Sequence, residues 1–391
     1  MTPAARIQAA IEILDIVIAA ARDGGAAADT VVTRYFAQRR YAGSKDRRAV
    51  RGYVYAAIRA LGEMPVSGRA AMLAMLAEED RAAAFTGEGH APAPFQVGEP
   101  VADKGLAPAW LAERLSQSGV DDAELAALVD DRAPLDIRVN RRVTTAADII
   151  REIEGATPID GLADGLRVPS GFDMTSFAGR VEVQDAGSQF VSLAAGAQPG
   201  MVAVDLCAGG GGKALALAAA MDDKGEILAA DVNRDRLSRL TPRAARAGVG
   251  IITTLLMDPG REAEALIDWN SRADLVLIDA PCSGTGTWRR NPEARWRLNP
   301  AMLGRLAVTQ RHLLDIAVPL VKPGGTITYI VCSLIDDEGR GQIATFLDRY
   351  PGWRAEPVNL PVGRSHGDGL RLTPRHDWTD GFFVATLRAP C

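Results

Sequence analysis

The chain has 391 residues, a formal net charge of −5, 47% hydrophobic and 24% charged residues. That length implies two or three domains with sizeable cores, and the net charge excludes binding to polyanions through overall basicity, so any such role must rest on local patches. Cys207, Cys282, Cys332 and Cys391 have neither metal-ligand nor disulfide spacing, which predicts reduced thiols, no metal and a cytoplasmic protein. The apolar stretch from Ile7 to Ala21 is short and carries Glu12 and Asp15, so neither a signal peptide nor a membrane span is expected.

In chain order, ARIQAAIEILDIVIAAA and SKDRRAVRGYVYAAIRAL repeat apolar residues at helical spacing, the second with Ser44 as a candidate N-cap. Residues 1–60 hold ten Lys/Arg against five Asp/Glu. Arg39, Arg40, Lys45, Arg47, Arg48 and Arg51 lie close together, forming either a solvated helix face or a helical module that touches phosphates. FTGEGHAPAPFQVGEPVADKGLA (85–107) breaks the periodicity with Gly and Pro and reads as a linker. AWLAERLSQSG and AELAALVDD predict short helices. Then LDIRVN (strand), AADIIREIEG (helix) and GLRVP (strand) predict a small α+β connector. The predicted domains are 1–130, helical with its linker; 131–190, the connector; and 191–391, an α/β domain.

In the last domain MVAVDLC, GEILAAD, IITTLLMD, ADLVLIDAP, GTITYIVCSL and FFVATLR alternate with helical stretches. Near-continuous apolar strands separated by helices predict a parallel, Rossmann-like sheet covered on both faces, with ligands at the strands' carboxyl ends. The unusual residues gather there: Asp205 and Cys207, Asp231, Asp258, Asp279 and Cys282, and Cys332.

The turn Cys207-Ala208-Gly209-Gly210-Gly211-Gly212-Lys213 opens a helix after the first of these strands, and its glycines permit close backbone approach to a ligand. Asp231 suits two ribose hydroxyls and Asp258 an adenine. Gly209, Gly211 and Ala214 also meet the loose dinucleotide pattern, so NAD and S-adenosylmethionine both remain open at this point. Ala214 after Lys213 disfavours a P-loop.

Two thiols at adjacent strand ends have no use in hydride transfer. They do in methylating a pyrimidine, where a thiolate added to carbon 6 turns carbon 5 into a nucleophile toward a methylsulfonium. A free thiol with pKa near ~8.5 is little ionised at neutral pH, so nearby positive charge is needed, and Lys213 is a candidate. The residues alone do not rank Cys282 against Cys332.

DAPCSGTG (Asp279–Gly286) followed by RRNPEARW resembles the fourth motif of the Nol/Nop/Sun family of RNA cytosine-5 methyltransferases. TYIVCSL (Thr328–Leu334) resembles the sixth, DLCAGGGGK the first, and VQDAGSQFVS the entry to the catalytic domain. The likeness covers roughly residues 130–390. The first eighty residues resemble, more weakly, the NusB-type helical RNA-binding domain of the bacterial rRNA members (the Sun/RsmB type). This resemblance implies a class I S-adenosylmethionine-dependent methyltransferase domain behind an all-α NusB-like domain. It implies Cys332 as nucleophile on carbon 6, Cys282 in breakdown of the adduct, and Asp279 at the cytosine edge beside the methyl donor. It also implies Cys207 to Lys213, Asp231 and Asp258 as cofactor-binding residues. A Pro-Cys pair after the fourth strand is the nucleophile in DNA cytosine-5 methyltransferases, and Cys282 matches it; the RNA family's pattern assigns attack to Cys332. The chain departs from the family where Gly209 replaces a proline, where Ala214 replaces threonine, and where Ile330-Val331 precede Cys332.

Six arginines (Arg289, Arg290, Arg295, Arg297, Arg305, Arg311) against Glu293, with Trp288 and Trp296 between them, suggest pairing with phosphates and stacking on bases, Arg289, Arg290, Arg295 and Arg297 being assigned to RNA. The expected protein is a monomeric rRNA cytosine-5 methyltransferase. A tRNA enzyme, an NAD-linked oxidoreductase and a catalytically silent RNA-binding assembly factor are the alternatives.

Overall fold

A computed structural model describes residues 1–130 and 132–391; residue 131, where the sequence puts a domain boundary, lies outside them. The chain divides into two units, Met1–Arg132 with Thr287–Asn299, and Ala133–Gly286 with Pro300–Cys391. Among the described residues no helix is long and apolar enough to cross a membrane.

The first unit is helical: α1 (Pro3–Asp23), α2 (Ala28–Ala37), α3 (Ser44–Ala60), α4 (Gly68–Met75), α5 (Glu78–Ala84), α6 (Ala109–Gln117) and α7 (Asp122–Ala127). On α1 the Thr2 hydroxyl accepts the Ala5 N–H, Pro3 sits in the first turn, and Gly24 in the left-handed region ends the helix. Its buried stripe of Ile7, Ile11, Leu14, Val17, Ile18 and Ala21 joins Val50, Val54 and Ile58 of α3 in one core. Ser44 is the first helical residue of α3, and Gly43, without a side-chain cap, takes the N-cap position.

Residues 287–299 correct two expectations. They leave the α/β domain to which 191–391 was assigned and complete the helical core, where Trp296 is 6% exposed. Their charges then serve helix ends. The Arg295 guanidinium is fully buried and donates to the carbonyls of Ile58, Arg59 and Leu61 at 2.6, 3.0 and 2.9 Å, at the C-terminus of α3. Arg297 donates to the carbonyls of Ala20, Gly25 and Ala26, where α1 ends. Glu293 accepts the Ala28 N–H at 2.9 Å, at the N-terminus of α2, which has no side-chain cap of its own. Cations at carboxyl ends and an anion at an amino end satisfy orphan backbone groups and match each helix dipole. Arg295 therefore has no surface for a phosphate, and Trp288 and Trp296 are too buried to stack on bases. Arg289 is buried as well, while Arg290 and Arg297 keep partial exposure.

The second unit holds two sheets. β1 (Leu135–Val139), β2 (Thr157–Ile159), β3 (Leu162–Val168) and β4 (Val181–Val183) form an antiparallel sheet in the order β2-β3-β1-β4, with α8 (Ala146–Glu152) packed on it. The larger sheet contains β5 (Val202–Asp205), β6 (Glu226–Asp231), β7 (Ile252–Leu256), β8 (Ala273–Asp279), β9 (Val321–Val331), β10 (Arg354–Glu356), β11 (Arg364–His366), β12 (Gly369–Leu372) and β13 (Phe382–Arg388). Its order is β11-β12-β13-β9-β8-β5-β6-β7, with β10 on β13. The strands from β9 to β7 run parallel, and β13 is antiparallel to β9. Alternate residues point to opposite faces: Val204, Val276 and Ile278 enter one core, Ala203, Leu275 and Leu277 the other. Both faces are thus covered, by helices that include α9 (Ala186–Leu193) and α10 (Gly212–Ala220) on the second.

Candidate active site

β5 pairs with β6 on one side and β8 on the other, so strand order reverses there and a crevice opens beyond their carboxyl ends. Asp205 ends β5, Asp231 ends β6 and Asp279 ends β8. Asp205 is wholly buried, and among the described residues its carboxyl oxygens make no well-formed hydrogen bond, the Cys207 backbone N–H being the one donor that favours its charge. Burial pushes its pKa up to about 7, with the Asp279 charge adding and Lys213 opposing. A carboxyl that holds its proton more tightly when folded contributes stability fully below about pH 4 and loses it as pH rises toward 7, on the order of 4 kcal/mol in all. Asp205→Asn should remove that loss, so its melting temperature should gain on the parent between pH 5 and pH 8. A difference that stays constant with pH would contradict the assignment.

The glycine turn is built by backbone geometry. Gly209 and Gly211 have φ of +52° and +86°, where side chains are disfavoured. A Cβ on Gly211 would sit 2.0 Å from Leu240 Cδ1. Asp231 accepts the N–H groups of Gly209 and Asn233, both at 2.7 Å, and its remaining lone pairs are available to hydroxyls. Arg243 donates to the Gly210 carbonyl and pairs with Glu182 at 2.5 Å. Gly211→Ala should weaken binding of S-adenosylhomocysteine at least about tenfold, read by calorimetry, because the turn must open to admit a methyl group. Gly304→Ala, outside the turn and with nothing within 4 Å of an added Cβ, is the control.

Cys207 is half-buried, and burial followed by the charges of Asp205, Asp279 and Asp231 pushes its thiol well up. It suits the wall of a pocket, not a nucleophile. Ala208 is buried beside it. Asp258, beyond β7, is exposed, its carbonyl accepting the Arg261 N–H.

The two thiols do converge. Cys282 Sγ lies 3.4 Å from Cys332 Sγ, and the Lys213 ammonium pairs with Asp279 at 2.6 Å. Burial would lower the Lys213 pKa, but the Asp279 charge and hydrogen bond, followed by the Cys332 and Asp205 charges, hold it above its usual value. The ammonium therefore stays charged within electrostatic reach of Cys332. Cys282 is pushed well up by its hydrogen bond to Cys332, then by burial, the Cys332 charge and Glu338. One thiol has a cation for company and the other an anion.

Reasoning from sequence missed several parts of this site. Ser283, Thr285, Ser333 and Glu338 form a buried polar cluster behind the thiols, and an acid in the run DDEG carries no signal of burial. Asp205 was placed at the strand ends by the sequence, but its complete burial was not.

The residues fit one of the two cofactors better. Asp205, Asp231 and Asp279 end the three strands beside the turn, and their acidic character suits a ligand bearing positive charge. A pyrophosphate would meet repulsion there, whereas S-adenosylmethionine brings a sulfonium and an amino group. The chain is 35% identical over 300 residues to a Synechocystis protein named probable ribosomal RNA small subunit methyltransferase B, covering 72% of this chain and 66% of that one. It is 38% identical over 211 residues to the Thermus thermophilus ribosomal RNA small subunit methyltransferase B, covering 53% and 50%. It thus spans from half to about two-thirds of those relatives. The crystal structure of PH0851 superposes with a TM-score of 0.78 at 24% identity, covering 99% of both chains, and shares the fold. Residues 193–388, half of the chain, match the model of one family, and this chain belongs to it: the 16S rRNA methyltransferase RsmB/F family.

Proposed function

We propose that this chain is an S-adenosylmethionine-dependent methyltransferase acting on carbon 5 of a cytosine in small-subunit ribosomal RNA, through a covalent cysteine adduct. The observation that carries this reading is the 3.4 Å approach of the Cys282 and Cys332 sulfurs beside the Lys213–Asp279 pair. The substrate class follows the names of the relatives.

S-adenosylmethionine supplies, when bound, an electrophilic methyl group. Cys207 to Lys213 and Asp231 would hold it, with Asp258 and Asp279 as further contacts. Lys213 stabilises negative charge on Cys332, whose thiolate adds to carbon 6 and passes an electron pair toward carbon 5. Asp279 offers an acceptor to the polar edge of the cytosine. After carbon 5 has taken the methyl, its proton leaves to a base, the pair re-forms the ring double bond, and Cys332 departs as a thiolate. The Cys282 S–H donates to that sulfur and eases its departure. A base in structured RNA must be unstacked to reach this crevice.

Phosphate contacts fall to exposed arginines of the helical unit. Arg47, Arg48 and Arg51 line, with Thr33 and Phe36, a surface hollow of about 340 Å³. Arg290 is a further candidate. The test is methyl incorporation into small-subunit rRNA, followed by bisulfite mapping, with tRNA in parallel. Incorporation into tRNA alone would change the substrate. Tighter binding of NAD than of S-adenosylhomocysteine would overturn the methyltransferase reading, and bound cofactor without methylation of any RNA would favour a silent assembly factor.

A further inference from the structure

Glu338 is fully buried in the turn after β9. One carboxyl oxygen accepts the Ser283 N–H at 2.8 Å and the Gln310 amide at 3.1 Å. The other accepts the Ser333 hydroxyl at 2.6 Å and the Ser283 hydroxyl. Four donors fill the acceptor sites of one carboxylate. Ser283 follows Cys282 in the chain and Ser333 follows Cys332, so each reactive thiol is one residue from a serine held by the same side chain. Gln310 also donates to the Pro281 carbonyl at 2.9 Å, on the other side of Cys282, and the Tyr329 hydroxyl donates to the Glu338 carbonyl at 2.7 Å. The Gly286 N–H to Cys332 carbonyl bond at 3.0 Å and the Leu334 N–H to Thr285 hydroxyl bond at 2.9 Å run alongside.

We propose that Glu338 is a positioning residue for both thiols: it clamps the loop of Cys282 to the loop of Cys332, sets the sulfur spacing, and makes the two sulfurs unequal. The assignment of distinct roles to the thiols rests on the reading above, but the clamp itself does not. The Glu338 carboxylate charge also adds, after the bond to Cys332, burial and the Cys332 charge, to what pushes the Cys282 thiol up. The Lys213 ammonium acts at the other sulfur. A buried cluster in which every donor is satisfied is rigid, and a partly satisfied one is not.

Glu338→Gln tests this in the full chain, because the amide keeps the length but replaces two acceptor sites by donors that face the serine hydroxyls. Alkylation by iodoacetamide, followed residue by residue by mass spectrometry from pH 6 to pH 10, reads each sulfur without RNA or turnover. Cys282 should become reactive at a pH lower by one unit or more in the variant, while S-adenosylhomocysteine affinity stays within about twofold. On rRNA, kcat should fall about 10- to 100-fold with KM little changed, and Glu338→Asp, one methylene too short for both serines, should not restore it. Identical alkylation profiles in parent and variant would overturn the proposal, as would a variant that lost cofactor affinity together with rate. If the parent itself methylates no RNA, the reading of function fails while the alkylation result still decides the role of Glu338.

Discussion

Cys332→Ala should abolish both methyl transfer and any covalent complex with RNA, whereas Cys282→Ala should trap the protein on its substrate. The expected loss of rate in Cys332→Ala is at least about 10³-fold, equivalent to roughly 4 kcal/mol of barrier. On the proposed mechanism attack on carbon 6 falls to Cys332, whose charge is one of those that hold the Lys213 ammonium above its usual pKa. Cys282, 3.4 Å away, has its pKa pushed well up by its bond to Cys332, by burial, by the Cys332 charge and by Glu338, which is what the proposed donor role requires. Removing that donor leaves addition intact and slows departure of Cys332 from carbon 6, and the adduct accumulates. A protein–RNA complex that survives denaturing electrophoresis reads the difference. Adduct in Cys332→Ala and none in Cys282→Ala would exchange the two roles. Lys213→Met should reduce the rate of adduct formation in either background, because the methylene stem is kept and the charge is lost.

The strands that carry this chemistry were legible because each is an apolar run ending in an acid or a thiol, as VAVD and ADLVLID do before Cys207 and Cys282. A parallel sheet places all such ends along one edge, so linear order alone brought Asp205, Asp231, Asp279 and the thiols together. Strands β2, β4, β10 and β11 are three residues long, too short to show alternation, and they escaped notice. The arginines after Trp288 misled for a different reason. Whether a guanidinium meets water or protein depends on what lies across from it, and three of the four carbonyls that hold Arg295 come from residues more than 230 positions earlier. Glu338 escaped in the same way: Asp336-Asp337-Glu338-Gly339 has the composition of a solvated turn, and its partners Ser283 and Gln310 are distant in the chain. Local pattern carries the elements and their ends; it does not carry which charges are buried.

Arg295→Ala should be the most destabilising single change in the helical unit, costing about 3–5 kcal/mol and lowering its melting temperature by roughly 10 °C. Four hydrogen bonds from this guanidinium go to main-chain carbonyls, those of Pro292, Ile58, Arg59 and Leu61. Burial pulls its pKa down to about 10, the Arg59 charge adding and Glu293 opposing, so the cation remains charged at neutral pH. Its loss takes these bonds from the end of α3 and leaves there Trp296, whose indole N–H reaches the Leu61 and Gly62 carbonyls at 3.2 Å. The abandoned carbonyls stay buried, and each carries a desolvation penalty of about 1–3 kcal/mol unless water enters. Arg295→Lys should recover only part of the loss, since a single ammonium cannot hold the Pro292 carbonyl with one nitrogen and the carbonyls at the end of α3 with another, as the planar guanidinium does. Arg48→Ala, on an exposed position of α3, should leave the melting temperature within about 1 °C and instead weaken RNA binding with a reduced salt dependence. The two variants separate the arginines that build the helical unit from those proposed to meet phosphate. If Arg295→Ala melted like the parent and lost RNA affinity as Arg48→Ala does, the buried guanidinium would have to leave its carbonyls in solution, and the account of this segment as a set of helix caps would be wrong.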